Sequence, residues 1–295
     1  MPVFPASALP SSLPDGHNDC DASADAILSS IKPSVKGQST MTMRIVAVFV
    51  LLFGLNTIAN AAELEGKYLY KVTTIRAATG ALADLLDWEA QLSSSEYYAE
   101  AGQERPLLMR HSQGDQWDLL VIVPMHSWTD YHSQAATLKR NTASAKHDDL
   151  LAEGQGLFAF YEDHFAFGPS WSAVKAAYAP NSFFHVEMFE AASGKANELL
   201  EQRRMENTYL VSTGQTPNMI FHRAAGSNVD VFTIGFHPDF QTFAAPADVS
   251  IEEKELAAKA AGFKSLSDIS FYLRSLISGH HDTLAVKVNL PSLTR

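Results

Sequence analysis

His185 and Glu187 stand two residues apart in the segment FFHVEMFE. In an extended strand that spacing puts both side chains on one face. A carboxylate beside an imidazole orients the ring and raises its basicity, which is what a general base requires. Phe189 continues this face. Phe184, Val186 and Met188 make the other one, apolar throughout and expected to lie under helices. A second segment, YKVTTI, offers Lys71, Thr73 and Ile75 at corresponding places. The set reads as a proton-transfer site: His185 the base, Glu187 its orienting group, Lys71 the stabiliser of developing negative charge. Thr73, Ile75 and Phe189 would line the ligand. The competing reading is a solvated sheet face with His185 and Glu187 at the surface.

Other histidines are less specific. His111 and His222 fall at matched places near the end of a strand, either as ligand-lining groups or as hydrogen-bonding hairpin residues. Lys146-His147-Asp148 and His280-His281-Asp282 form a second matched pair, each after a helical stretch. An Asp at such a boundary reads most simply as a helix cap. The sharper reading is a metal ligand, but no HxH or HxxxH spacing accompanies it. Glu162-Asp163-His164 is equally unspecific. Structural zinc is not expected without cysteine ligands. No G-x-G-x-x-G, Walker-type loop or G-x-S-x-G elbow occurs.

These residues sit in a segment that occurs twice. YKVTTIRAATGALADLLD from Tyr70 matches FHVEMFEAASGKANELLE from Phe184. Beyond it, Gly102-Gln103 matches Gly214-Gln215, His111 falls on His222, Gly114 on Gly226, and Trp117-Asp118 on Val229-Asp230. Trp128 and Tyr131 match Phe240 and Phe243. Such self-similarity marks a duplicated structural unit. Each copy reads strand, helix, strand, strand, helix, with strands at 67–76, 107–111 and 117–123 and then at 182–190, 219–223 and 229–237. Ser250 with Glu253 fits a capping box, as does Ser265 with Asp268. Gly279 is an expected helix stop and 283–288 a closing strand. Between the copies, residues 144–171 carry Phe158, Tyr161 and Phe165 at helical spacing and predict a helix that seals the first sheet.

A tandem unit of this kind resembles the dimeric α+β barrel superfamily, with two ferredoxin-like halves fused. That group includes antibiotic-biosynthesis-type monooxygenases, muconolactone isomerase-like proteins, and the haem-using chlorite dismutase and dye-decolourising peroxidase groups. The resemblance implies an α+β fold of two βαββα repeats closing a single-chain barrel, with an internal pseudo-dimer in one chain. It implies a small, partly apolar ligand between the sheets and cofactor-independent monooxygenase or isomerase-like chemistry. Its haem-using branch implies instead a haem oxidase or carrier, with His281 as the axial ligand to test first. A barrel with a filled interior would favour a non-catalytic interaction protein.

Residues 1–42 are rich in Pro, Ser, Ala and Asp and carry no core-forming run, the composition of disorder or of a misplaced gene start. Met43-Arg44, the apolar run 45–58 and Ala59-Asn60-Ala61 make 43–61 a signal peptide, cleaved after Ala61. Its apolar run is well short of the roughly 20 residues of a membrane-spanning helix. Translation from Met43 or Met41 is the expected start, and a periplasmic or secreted location follows. The single cysteine, Cys20, lies upstream of that start. The mature chain divides into 62–181, the first repeat with its aromatic connection, and 182–295, the second. A formal charge of −11 without a basic cluster argues against a nucleic-acid partner.

Overall fold

The structure is a computed structural model that describes residues 64–288. The segments 1–42 and 43–61, with Cys20 and the expected cleavage site, lie outside the described residues. The first half runs β1 (Tyr68–Ala77), α1 (Leu82–Ser94), α2 (Tyr97–Glu100), β2 (Leu107–Gln113), β3 (Leu119–His126), α3 (Trp128–Tyr131), α4 (Gln134–Lys146), α5 (Asp148–Gln155), β4 (Phe158–Gly168) and α6 (Trp171–Tyr178). The second runs β5 (Phe183–Ala191), α7 (Ala196–Ser212), β6 (Met219–Ala225), β7 (Val231–His237), α8 (Phe240–Ala244), α9 (Ile251–Ala260), α10 (Asp268–Leu276) and β8 (Ile277–Lys287). Among the described residues no helix is long and apolar enough to cross a membrane.

The duplication is carried down to single bonds. Gly80 and Gly194 take φ of +82° and +76° just before α1 and α7, a conformation that costs glycine nothing. Asp118 accepts from the Ala77 N–H and Asp230 from the Ala191 N–H, each at 2.8 Å. Ser127 caps α3 and Asp239 caps α8 in the same way. The capping box of Ser250 and Glu253 forms at the start of α9.

All strands are antiparallel to their neighbours and close one barrel in the order β1-β3-β2-β8-β5-β7-β6-β4, with β4 returning to β1. Each half is a ferredoxin-like sheet. The seams between halves are β2 on β8 and β4 on β6. The expected single-chain α+β barrel is therefore what the chain forms.

Three expectations are corrected. The aromatic connection is not one helix: residues 158–168 form β4, the partner of β1 along nearly its whole length. The first half thus gains a fourth strand, while the closing strand expected in the second half begins earlier, so that Gly279 and His280-His281-Asp282 lie inside β8 rather than at a helix boundary. His147, by contrast, does sit between two helices, α4 and α5.

The second correction concerns which face is which. Phe184, Val186 and Met188 point into the barrel, where they join Tyr70, Val72, Ile122, Phe221, Phe232 and Ile234 in one shared core. α6 closes one end of the barrel with Trp171 and Val174. His185, Glu187 and Phe189 point outward, beneath α7, as Lys71, Thr73 and Ile75 point outward beneath α1. The proposed His185, Glu187, Lys71 and Thr73 set therefore does not line the space between the sheets.

The third is a register slip. Leu108 and Ile220 both face helices, and Met109 and Phe221 both face the core. His111 and Arg223 each donate their N–H to the matched Asp118 and Asp230 carbonyls. His111 thus corresponds to Arg223, not to His222. One residue of slip exchanges the faces of a strand: His111 turns inward against Trp117, and His222 turns outward against Phe167.

Candidate functional site

Helices laid across an outward sheet face leave a cleft wherever the facing side chains are short or polar. Each half has one. In the second half, His185 and Glu187 form the floor and α7 supplies Glu206 and Leu210. Phe243 of α8 and the loop through Val249 close a cleft of about 600 Å³. His185 and His237 both lean on the Phe243 ring, at 5.1 and 5.3 Å between centroids. Burial and the neighbouring His185 lower the pKa of His237, which keeps that ring neutral.

Glu187 is held rigidly. Thr233 donates to it at 2.9 Å and the Arg203 guanidinium lies 3.5 Å away. Arg203 is almost fully buried, also pairs with Glu206, and stands over the Phe189 ring at 4.7 Å. Burial pushes the Glu206 pKa up while Arg203 opposes the shift. His185, Glu187 and cross-strand Asp282 offer ligand atoms all within 4.8 Å of one another, the spacing of a metal's ligand set, although Arg203 already neutralises part of that charge.

In the first half a cleft of about 470 Å³ lies over Lys71, Thr73 and Ile75, with walls from Trp88, Tyr97, Tyr98, Phe158 and Tyr161. Thr73 donates to Asp163 at 2.5 Å and Lys71 sits 3.5 Å from the same carboxylate. Glu89 of α1 lines this cleft, buried, with one oxygen unpartnered. Nothing in its sequence surroundings marks it. Only its position on the sheet-facing side of α1, three residues after Leu86, carried any signal.

The structure thus keeps His185 with Glu187, and Lys71 with Thr73 and Ile75, but it does not bring the two groups together. They lie in separate clefts on different sides of the barrel. Phe189 is fully buried beneath Arg203 and touches neither cleft. His111 has its Nε2 buried without a partner inside the barrel, and His222 is half-buried outside it, so neither lines a cleft with His185. His281 opens onto a third cavity of about 190 Å³ at the barrel end opposite α6, where its Nδ1 lies 3.3 Å from Asp115. That space also holds His164, which is 2% exposed, has both ring nitrogens unpartnered, and is held down to about 4 by burial.

The strand order is that of the dimeric α+β barrel superfamily. No family model matches the sequence, and no curated protein is similar to it at a significant level. Among solved structures, the chain is similar to an anthrone oxidase-like protein at 13% identity, over 76% of this chain and 93% of that one, with a TM-score of 0.48. It is similar to a chlorite dismutase from Candidatus Nitrospira defluvii at 12% identity, over 76% and 93%, with a TM-score of 0.40. A heme-binding protein from Thermus thermophilus matches at 11% identity, over 77% and 94%, with a TM-score of 0.38. Likenesses this distant carry no activity across.

Proposed function

We propose that this is an exported protein that binds a small, partly apolar molecule in the second-half cleft and moves a proton on it. The observation that carries the reading is His185 beside Glu187 on the floor of a cleft of about 600 Å³. His185 accepts the proton. Glu187, fixed by Thr233 and Arg203, stands within 4.8 Å of the imidazole and orients it. Phe243 and Leu210 supply apolar surface for the ligand. Such chemistry is isomerase-like and needs no cofactor. An oxygenation of the cofactor-independent kind would begin with the same proton abstraction.

Native mass spectrometry of the full chain recovered from its periplasm tests this. A bound organic molecule is expected, together with a mature N-terminus at Ala62. His185→Ala and Glu187→Gln should each weaken rebinding of that molecule by roughly tenfold or more. Unchanged rebinding in both variants sinks the assignment. Absence of any bound molecule favours a non-catalytic role.

A second reading rests on the same cleft. His185 and His237 are two imidazoles against one aromatic ring, and either would hold a haem iron. When bound, haem would supply oxidative or electron-transfer chemistry. Haemin added to the protein should then give a Soret band that His185→Ala or His237→Ala removes.

A further inference from the structure

Glu89 and Arg203 occupy the same place in the two copies, as the match of Leu85-Leu86-Asp87 to Leu199-Leu200-Glu201 requires. The charges there have diverged in sign and in company. Arg203 is satisfied by Gln202, Glu187 and Glu206. Glu89 is 4% exposed, its Oε2 has no hydrogen-bond partner, and it forms no ion pair among the described residues. A carboxylate buried without a partner costs several kcal/mol. Stability alone would favour leucine or methionine at this position, under Trp88 and against the sheet.

The space that Glu89 faces has the complementary parts. Its walls are aromatic: Trp88, Tyr97, Tyr98, Phe158 and Tyr161. Flat walls of this kind bind a planar molecule through its faces. Two cations reach the same cleft. Arg140 lies 3.8 Å over the Tyr131 ring and makes no ion pair among the described residues. Lys71 is tied only at 3.5 Å to Asp163. The cleft therefore holds a buried base, an aromatic slot and a guanidinium that stacks on Tyr131 and donates to Thr137 but has no carboxylate partner among the described residues.

We infer that the first-half cleft is a second active site, in which Glu89 is the general base that takes a proton from carbon in a small planar, enolisable carbonyl compound. The C–H bond breaks and its proton moves to the Glu89 carboxylate. Its electron pair passes to the carbonyl oxygen, and Arg140 faces the enolate so formed. In a β,γ-unsaturated carbonyl compound the enolate is a dienolate, and return of the proton from Glu89 to the γ-carbon moves the C=C from the β,γ to the α,β position, which completes an isomerisation with nothing oxidised or reduced. Desolvation makes a carboxylate a stronger base. Burial pushes the Glu89 pKa up to about 7, so the base form is available at neutral pH. The titratable and charged groups that line the cleft with it are Tyr97 and Tyr98 from α2, Arg140 from α4, Lys71 from β1, and Tyr161 and Asp163 from β4, and the charge of Arg105 acts on Tyr98. This site is separate from the His185 cleft and does not depend on it.

The test uses 5-nitrobenzisoxazole, a planar carbon acid, on the full chain. Removal of its ring C–H proton breaks the N–O bond and releases a coloured cyanonitrophenolate, so turnover reports the base directly. Binding is followed separately by quenching of tryptophan fluorescence. Turnover should rise through about pH 7. Glu89→Gln should lower it on the order of a hundredfold with quenching preserved, and Glu89→Asp should restore part of it. Arg140→Met should slow turnover severalfold, while Lys195→Ala, at a surface side chain outside both clefts, should leave it unchanged. Turnover that persists in Glu89→Gln, or that is absent although the probe quenches tryptophan fluorescence, overturns the proposal. Failure of the probe to bind overturns it as well, because the cleft is then not the aromatic slot inferred. If His185→Ala abolishes turnover instead, the reactive cleft is the second-half one and Glu89 has no role.

Discussion

Glu89 links stability to function at the scale of one residue. Its pKa is raised from 4.5 to about 7 by burial, so the folded chain keeps a proton that the unfolded chain releases across that interval. The folded state binds more protons there, and its stability falls as pH rises. The contribution is fully present below pH 4.5 and is lost as pH passes through about 7. A shift of this size corresponds to about 3 kcal/mol at most. Glu89→Gln removes the ionisation without changing shape. Urea unfolding should therefore show the variant more stable than wild type at pH 8 by up to about 3 kcal/mol, and level with it at pH 4. His164 pulls the other way: its lowered pKa makes stability fall as pH drops from 6.5 towards 4. The comparison is thus variant against wild type at each pH, in which the His164 contribution cancels. A difference that does not vary with pH would mean that Glu89 is not a buried, ionising group. A stabilised variant with a weaker base is the pattern of a residue retained for chemistry.

Elements are where the sequence was read best and also where it misled. The copies beginning at Tyr70 and Phe184, their matched glycines and the match of Asp118 to Asp230 were legible because strand and turn chemistry leaves residue-specific marks. β4 was not. Phe158, Tyr161 and Phe165 satisfy a helical period, while Glu162, His164 and Ala166 alternate with Asp163 and Phe165 as a strand. The unpaired edge of β1 decides between them, and that edge is visible only in three dimensions. The two faces of β5 were inverted for a related reason. Both carry large apolar residues, so polarity could not tell a barrel lining from a helix-covered surface; His185 is polar because a cleft, not a core, lies over it. α6 is a further element whose role needed the fold. Trp171 and Val174 close the barrel end, Tyr178 stacks on Phe184 at 5.3 Å, and its hydroxyl donates to the Leu108 carbonyl at 2.8 Å. Trp171→Ala should cost about 3–5 kcal/mol in urea unfolding. A loss below about 1 kcal/mol would mean that α6 rests on the barrel without sealing it.

For the molecule as a whole, fusion of the halves decides what can be exposed. A closed barrel has no free sheet edge, and the two seams here use matched strands: β2 meets β8, the fourth strand of the other half, while β4 meets β6. Each half alone would present its second and fourth strands as edges and leave Tyr70, Val72, Met109 and Ile122 on an uncovered face. Unpaired edges beside an apolar face are templates for association. The pseudo-twofold relation makes those edges self-complementary, since the second strand of one copy is built to meet the fourth of another. Residues 62–181 expressed alone should therefore assemble as a twofold dimer in which β2 of each copy pairs with β4 of its mate. Light scattering should give twice the chain mass. Two copies of the first half would also carry two Glu89 clefts and no His185, so the same preparation should retain benzisoxazole turnover while losing any ligand of the second-half cleft. A folded, monodisperse monomer of residues 62–181 would show that the seams are dispensable, and the barrel would then be two domains in contact rather than one closed sheet.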